Sequence, residues 1–208
     1  MTSPRFGTTG TTKNKMNRRI GIFGGTFNPI HKAHVEIALA FSERLSLDLL
    51  YIIPNNIPPM KESHGVSGLQ RLEMLKLAFS GFDNIVVSDI EIKRGGMSYT
   101  RDTVAELKEK HCGCDLFLLI GDDWIDNFDK WRDYRYILDN AHLVIASRSG
   151  KDISNPLERL KSISEKEIFL LENERIELSS SGFRSLPKKE LLPNGVYEYI
   201  QKRGLYGV

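Results

Sequence analysis

The chain has 208 residues, 40% hydrophobic and 27% charged, with a formal net charge of +2. Those values suit a compact globular domain and exclude a bulk nucleic-acid binder, which needs a basic face or stripe. The longest apolar runs, such as Leu116 to Ile120, fall far short of the roughly 20 residues of a membrane span.

Residues 1–17 read as a flexible extension, because Met1 to Lys15 is rich in Thr, Gly, Ser and Lys and lacks the apolar core of a secretory signal. Lys13, Lys15, Arg18 and Arg19 account for more than the net charge, so the body, residues 18–208, reads as one nearly neutral domain. Strand patterns follow at Arg19 to Phe23, Leu49 to Pro54, Ile85 to Ser88, Leu116 to Gly121, Leu143 to Ser147 and Ile168 to Leu171. Several are apolar on both faces, as strands covered by helices on each side must be.

Helical periodicity separates them. Val35, Ala38, Leu39 and Leu45 mark a first helix; Leu72, Leu75 and Phe79 a second, capped by Ser67; Val104 and Leu107 a third. A last helix follows the Pro193-Asn194-Gly195 turn and carries Val196, Tyr199 and Ile200. His111-Cys112-Gly113-Cys114 lacks the second ligand pair of a zinc site and reads as a loop, His64 as a loop residue, and His142 as structural. The one-residue gap between the only two cysteines makes a poor disulfide, and the expected setting is the cytoplasm. The fold class is α/β, a doubly wound, Rossmann-like open parallel sheet with helices on both faces. Ligands of such sheets bind beyond the carboxyl ends of the strands, here just after Phe23, Pro54, Gly121 and Ser147.

The junction Gly24-Gly25-Thr26-Phe27-Asn28-Pro29-Ile30-His31-Lys32-Ala33-His34 carries the strongest chemical signal. Gly24 and Gly25 allow close backbone approach to a nucleotide, and Thr26 offers a hydroxyl and an amide to phosphate. Asn28 and Pro29 read as the cap and first residue of the following helix. His31 and His34, three apart, share one helix face and suit a polyphosphate whose charge grows during displacement.

These residues resemble the nucleotidyltransferase superfamily with the (H/T)xGH signature, and within it the bacterial nicotinate-nucleotide adenylyltransferases. The family's GGTFDPxHxGH is matched by Gly24 to His34, PxxxPPHK by Pro54 to Lys61, and GxSYTxDT by Gly96 to Thr103. GAD is matched by Gly121 to Asp123, and ISSTxIR by Leu178 to Arg184. Asn28 replaces Asp, Ala33 replaces Gly, Met60 replaces His and Phe183 replaces Ile.

The resemblance implies transfer of AMP from ATP to nicotinate mononucleotide with release of pyrophosphate, and Mg²⁺ bound with ATP rather than in a protein cage; a sibling transferase using nicotinamide mononucleotide or phosphopantetheine, and a non-catalytic nucleotide-binding protein of the same fold, stand as alternatives. It assigns His31, His34 and Arg184 to catalysis at the phosphates. Gly24, Gly25, Thr26, Phe27, Asp123, Arg148, Ser180 and Ser181 fall to ATP, with Asp123 at the ribose and Asp122 as a helix cap. Lys61, Ser98, Tyr99, Thr100 and Trp131 fall to the acceptor. Core packing for Trp131 and Trp124, and ordinary surface positions for Lys61 and Arg148, stand as alternatives. Partners are these two small molecules, with no nucleic acid and no membrane; a homo-oligomer is left open.

Overall fold

A computed structural model describes residues 17–59, 65–147, 151–171 and 179–208. Six strands form one all-parallel sheet: β1 (Arg19–Gly25), β2 (Leu49–Pro54), β3 (Ile85–Val87), β4 (Asp115–Gly121), β5 (His142–Ala146) and β6 (Ile168–Leu171). Their spatial order is β3-β2-β1-β4-β5-β6. This is the doubly wound order of the Rossmann sheet, and the winding reverses between β1 and β4. Ile22 lies opposite Tyr51 on one side and Leu118 on the other.

The helices are α1 (Lys32–Arg44), α2 (Gly68–Ala78), α3 (Ile90–Arg94), α4 (Thr100–Lys110), α5 (Tyr134–Asn140), α6 (Ser154–Lys161), α7 (Ser180–Ser185) and α8 (Val196–Arg203). A 3₁₀ segment, Asp122–Lys130, follows β4. Strand alternation divides the core into two layers. Leu50, Ile52, Phe117, Leu119 and Val144 meet α1, α2 and α8 through Ile37, Phe41, Met74, Leu75 and Ile200. Ile20, Ile22, Leu116, Leu118 and Ile145 face the other way, onto Val104, Leu107, Ile137 and Leu160 of α4, α5 and α6. Right-handed crossovers put the helices that connect strands in the two halves of the sheet on opposite faces, and α8, which follows the last strand, returns to the face of α1 and α2.

Two local expectations are corrected. Asn28 and Pro29 do not begin α1: their peptide is cis, and the helix starts at Lys32 with His31 as its cap residue. Asp122 is not a cap either, because Gly121 holds that position and Asp122 is 1% exposed. Ser67 does cap α2, accepting from the Gln70 amide while the Gln70 side chain accepts from the Ser67 amide. Residues 1–16, Met60, Lys61, His64, Arg148 and Leu178 lie outside the described residues. Among the described residues, no helix is long and apolar enough to cross a membrane.

Candidate active site

At the carboxyl ends of β1, β2 and β4 opens a cleft of about 810 Å³, well within the size range of small-molecule sites. Its floor is the turn after β1. Phe27 takes a left-handed backbone (φ 48°), which folds its ring back over Gly25. A Cβ on Gly25 would meet that ring at 3.0 to 3.3 Å, so any side chain there would have to push the ring back by a few tenths of an ångström. A Cβ on Gly24 would approach nothing closer than the Ile53 carbonyl at 4.0 Å. Gly24 is exposed at the cleft, and the reason for a glycine there is access rather than packing.

His34 lines this cleft; His31 does not. The two rings stack at 3.6 Å, but His31 is 1% exposed and sits behind its partner. Of the two imidazoles, one thus lies at the cleft surface and the other directly beneath it. The His31 amide donates to Nδ1 of His34 at 3.3 Å, and the Phe27 ring stands edge-on to His34 at 5.1 Å. His34 is therefore held in place from two sides. Ala33 is buried and off the cleft lining, so its methyl leaves the nucleotide space untouched.

The Ser-Arg segment joins the same turn from 151 to 156 residues away. Ser180 Oγ donates to the Pro29 carbonyl at 3.0 Å, and Arg184 Nη1 donates to the Asn28 carbonyl at 2.6 Å. The other arm of the Arg184 fork donates to Ser181 Oγ at 3.1 Å. Ser180, Ser181 and Arg184 all line the cleft with Thr26 and His34. Ser179 caps α7 by accepting from the Gly182 amide, and Phe183 is wholly buried against Tyr206. That packing explains a phenylalanine where the family pattern has isoleucine.

The opposite wall is built from the start of α4 and the stretch after β4. Ser98, Tyr99, Thr100, Asp123, Trp124 and Trp131 line it. Tyr99 is the cap residue of α4, so the positive end of an eleven-residue helix faces the cleft. Ser98 is buried, and its hydroxyl is committed inward, accepting from the Asn56 amide at 2.8 Å and bonding Glu91. Trp131 stands edge-on to Trp124 at 5.8 Å and packs against Phe128 at 5.0 Å, with both tryptophans half-buried. It is at once a core and a cleft residue. Arg132 adds a cation at 4.7 Å over the Tyr99 ring and pairs with Asp102 at 3.4 Å.

Two buried charged residues near the cleft carry no motif that sequence reasoning had used. Arg71 projects from α2 and is 3% exposed; Glu91, in α3, is 7% exposed and accepts from Thr103 Oγ1 at 2.6 Å. Burial pushes the Glu91 carboxyl above the usual range, against the opposing pull of its Thr103 and Ser98 hydrogen bonds. Among the described residues, no three His, Cys, Asp or Glu converge as a metal cage.

A cytidylyltransferase-like family model matches residues 22–186. A probable nicotinate-nucleotide adenylyltransferase of Borreliella burgdorferi is 41% identical over 194 residues, covering 90% of this chain and 96% of that protein. The corresponding protein of Marinobacter nauticus is 32% identical, covering 89% and 95%. Among solved structures, Plasmodium falciparum nicotinic acid mononucleotide adenylyltransferase complexed with NaAD superposes with a TM-score of 0.76. It is 21% identical and covers 92% of this chain and 98% of that one.

Proposed function

Since the chain belongs to the cytidylyltransferase-like family, we propose that it transfers the adenylyl group of ATP to nicotinate mononucleotide in NAD biosynthesis. The 5′-phosphate oxygen of the acceptor attacks the α-phosphorus; the new P–O bond forms as the bond to the β-phosphate oxygen breaks. Nicotinate adenine dinucleotide and pyrophosphate are the products. No covalent enzyme intermediate is needed, so the protein contributes positioning and charge stabilisation.

One observation carries this reading. Two segments separated by 151 to 156 residues, the turn after β1 and Ser180 to Arg184, are hydrogen-bonded into one surface of the cleft, a shape and donor set that suit a polyphosphate. His34 is the group for the α-phosphate, with His31 beneath it as support. Arg184, Ser181 and the amides near Ser180 suit the β- and γ-phosphates, since a forked guanidinium and hydroxyls match phosphate oxygens. Thr26 and Gly24 border the same space, and Asp123 accepts from the ribose hydroxyls. Among the described residues no side chains form a cage for Mg²⁺, so the ion would come with ATP and would supply neutralisation of the charge that develops on pyrophosphate.

The acceptor half is the α4 start with Trp131. The pyridine ring stacks on Trp131, and its carboxylate meets amides at the positive end of α4, which favours the acid over the uncharged amide. Pyrophosphate release with Mg²⁺ and ATP, run in parallel with nicotinate mononucleotide, nicotinamide mononucleotide and phosphopantetheine, tests the assignment. Release with the first alone supports both reaction and acceptor. Release only with another acceptor assigns a sibling transferase, and release with none rejects catalysis.

A further inference from the structure

The cleft has an ATP half and an acceptor half, and one buried side chain spans the loops beneath both. Arg71 Nη1 donates to the Thr26 carbonyl at 2.8 Å and to Asn55 Oδ1 at 3.3 Å. Its Nη2 donates to the Asn55 carbonyl at 2.7 Å and the Asn56 carbonyl at 3.2 Å. Thr26 belongs to the turn after β1; Asn55 and Asn56 belong to the loop after β2.

From Asn56 the bonding continues into the acceptor wall. The Asn56 amide donates to Ser98 Oγ at 2.8 Å, its side chain donates to the Gly96 carbonyl at 3.0 Å, and the Ser98 amide donates to the Ile57 carbonyl at 2.9 Å. On the other side, Asn55 returns to the nucleotide turn, its amide donating to the Gly25 carbonyl at 3.0 Å and its side chain to Thr26 Oγ1 at 3.3 Å. Thr26, Arg71, Asn55, Asn56 and Ser98 thus form one continuous path between the two halves.

We propose that Arg71 is a positioning residue that fixes the separation of the ATP and acceptor halves, so that both substrates and the rate of transfer depend on its guanidinium fork. This rests on the adenylyl-transfer reading above. Stability alone does not call for a guanidinium at this place. Burying a cation is costly, and apolar side chains of similar volume serve a core at least as well. What an apolar chain cannot do is hold three carbonyl oxygens of two loops at set distances. A planar fork with donors in fixed directions can, and a lysine, as a point charge, cannot reproduce it. In-line displacement is sensitive to such spacing, because a misplacement of about 1 Å costs roughly 100-fold in rate.

The test compares wild type with Arg71→Lys and Arg71→Met, measuring kcat, KM for ATP, KM for nicotinate mononucleotide and thermal melting. In folded variants, both KM values rise together and kcat falls, by roughly 100-fold for Met and less for Lys. A folded variant that changes only its melting temperature, or only one KM, overturns the proposal. So does failure of both variants to fold, which would make Arg71 a stability residue. A wild-type protein inactive with every acceptor instead sinks the adenylyl-transfer reading, a result that the variants cannot mimic.

Discussion

The phenol of Tyr206 donates to the side-chain carbonyl of Asn28 at 2.5 Å, across 178 residues of sequence. Asn28 is 4% exposed and its backbone carbonyl is already held by Arg184, so the nucleotide turn is fixed from the segment that follows α8 as well as from α7. Tyr206→Phe removes the donor and leaves a buried amide oxygen without it. The expected cost is about 1–3 kcal/mol of stability, read from urea unfolding, with a smaller fall in kcat/KM for ATP. Unchanged unfolding midpoints would show that water or another donor replaces the phenol.

His34→Ala should lower kcat by roughly 10²–10³-fold, the range for losing one preorganised group at a developing charge. Folding should survive, because His34 is half-buried and its bond to the His31 amide is one capping contact, worth about 1 kcal/mol. Pyrophosphate release and melting, measured on the same preparation, separate the two effects. A fully active variant would remove His34 from the mechanism.

Much of this arrangement was legible because the sheet is parallel and doubly buried: continuous apolar runs such as Leu116 to Ile120 admit little besides a central strand. The short helices left no such trace. α5 buries only Ile137 and Leu138, and α6 only Leu157 and Leu160, too few apolar positions for a 3.6-residue period to show. Asn28 and Pro29 imitate a helix start, yet they form a turn because Asn28 is spent on Tyr206 and Arg184 rather than on free amides. The motif residues could be found in the chain, but not their depth. That His31 lies behind His34, and that Ser98 turns inward, follows from packing between segments far apart in sequence. Arg71 and Glu91 were invisible for the same reason: a charged residue on a helix reads as surface until its buried partners are known.

Trp131→Ala should raise KM for nicotinate mononucleotide while leaving KM for ATP near its wild-type value. Stacking of a base on an aromatic ring is worth about 1–3 kcal/mol, which corresponds to roughly 5- to 150-fold in KM. The same change removes the contact with Phe128 at 5.0 Å, so some loss of stability accompanies it. Loss of stability with both KM values unchanged would reduce Trp131 to core packing.

Glu91→Gln should change how stability depends on pH. Burial raises the Glu91 carboxyl above its ordinary value of 4.5, with Glu106 adding to the shift while Thr103, Ser98 and Arg94 oppose it. The native state therefore holds this proton at pH values where the unfolded chain has released it. By linkage, the stability contributed by the neutral carboxyl is complete below the unfolded value and is lost as pH rises through the folded one. Glutamine keeps the shape and the capacity to accept from Thr103 without titrating. Wild type should thus lose stability relative to the variant as pH rises above about 4.5 toward neutrality. Paired urea melts across that range measure the difference directly. Parallel curves would mean that Arg94 and the two hydroxyls hold Glu91 ionised throughout, and that burial does not dominate at this position.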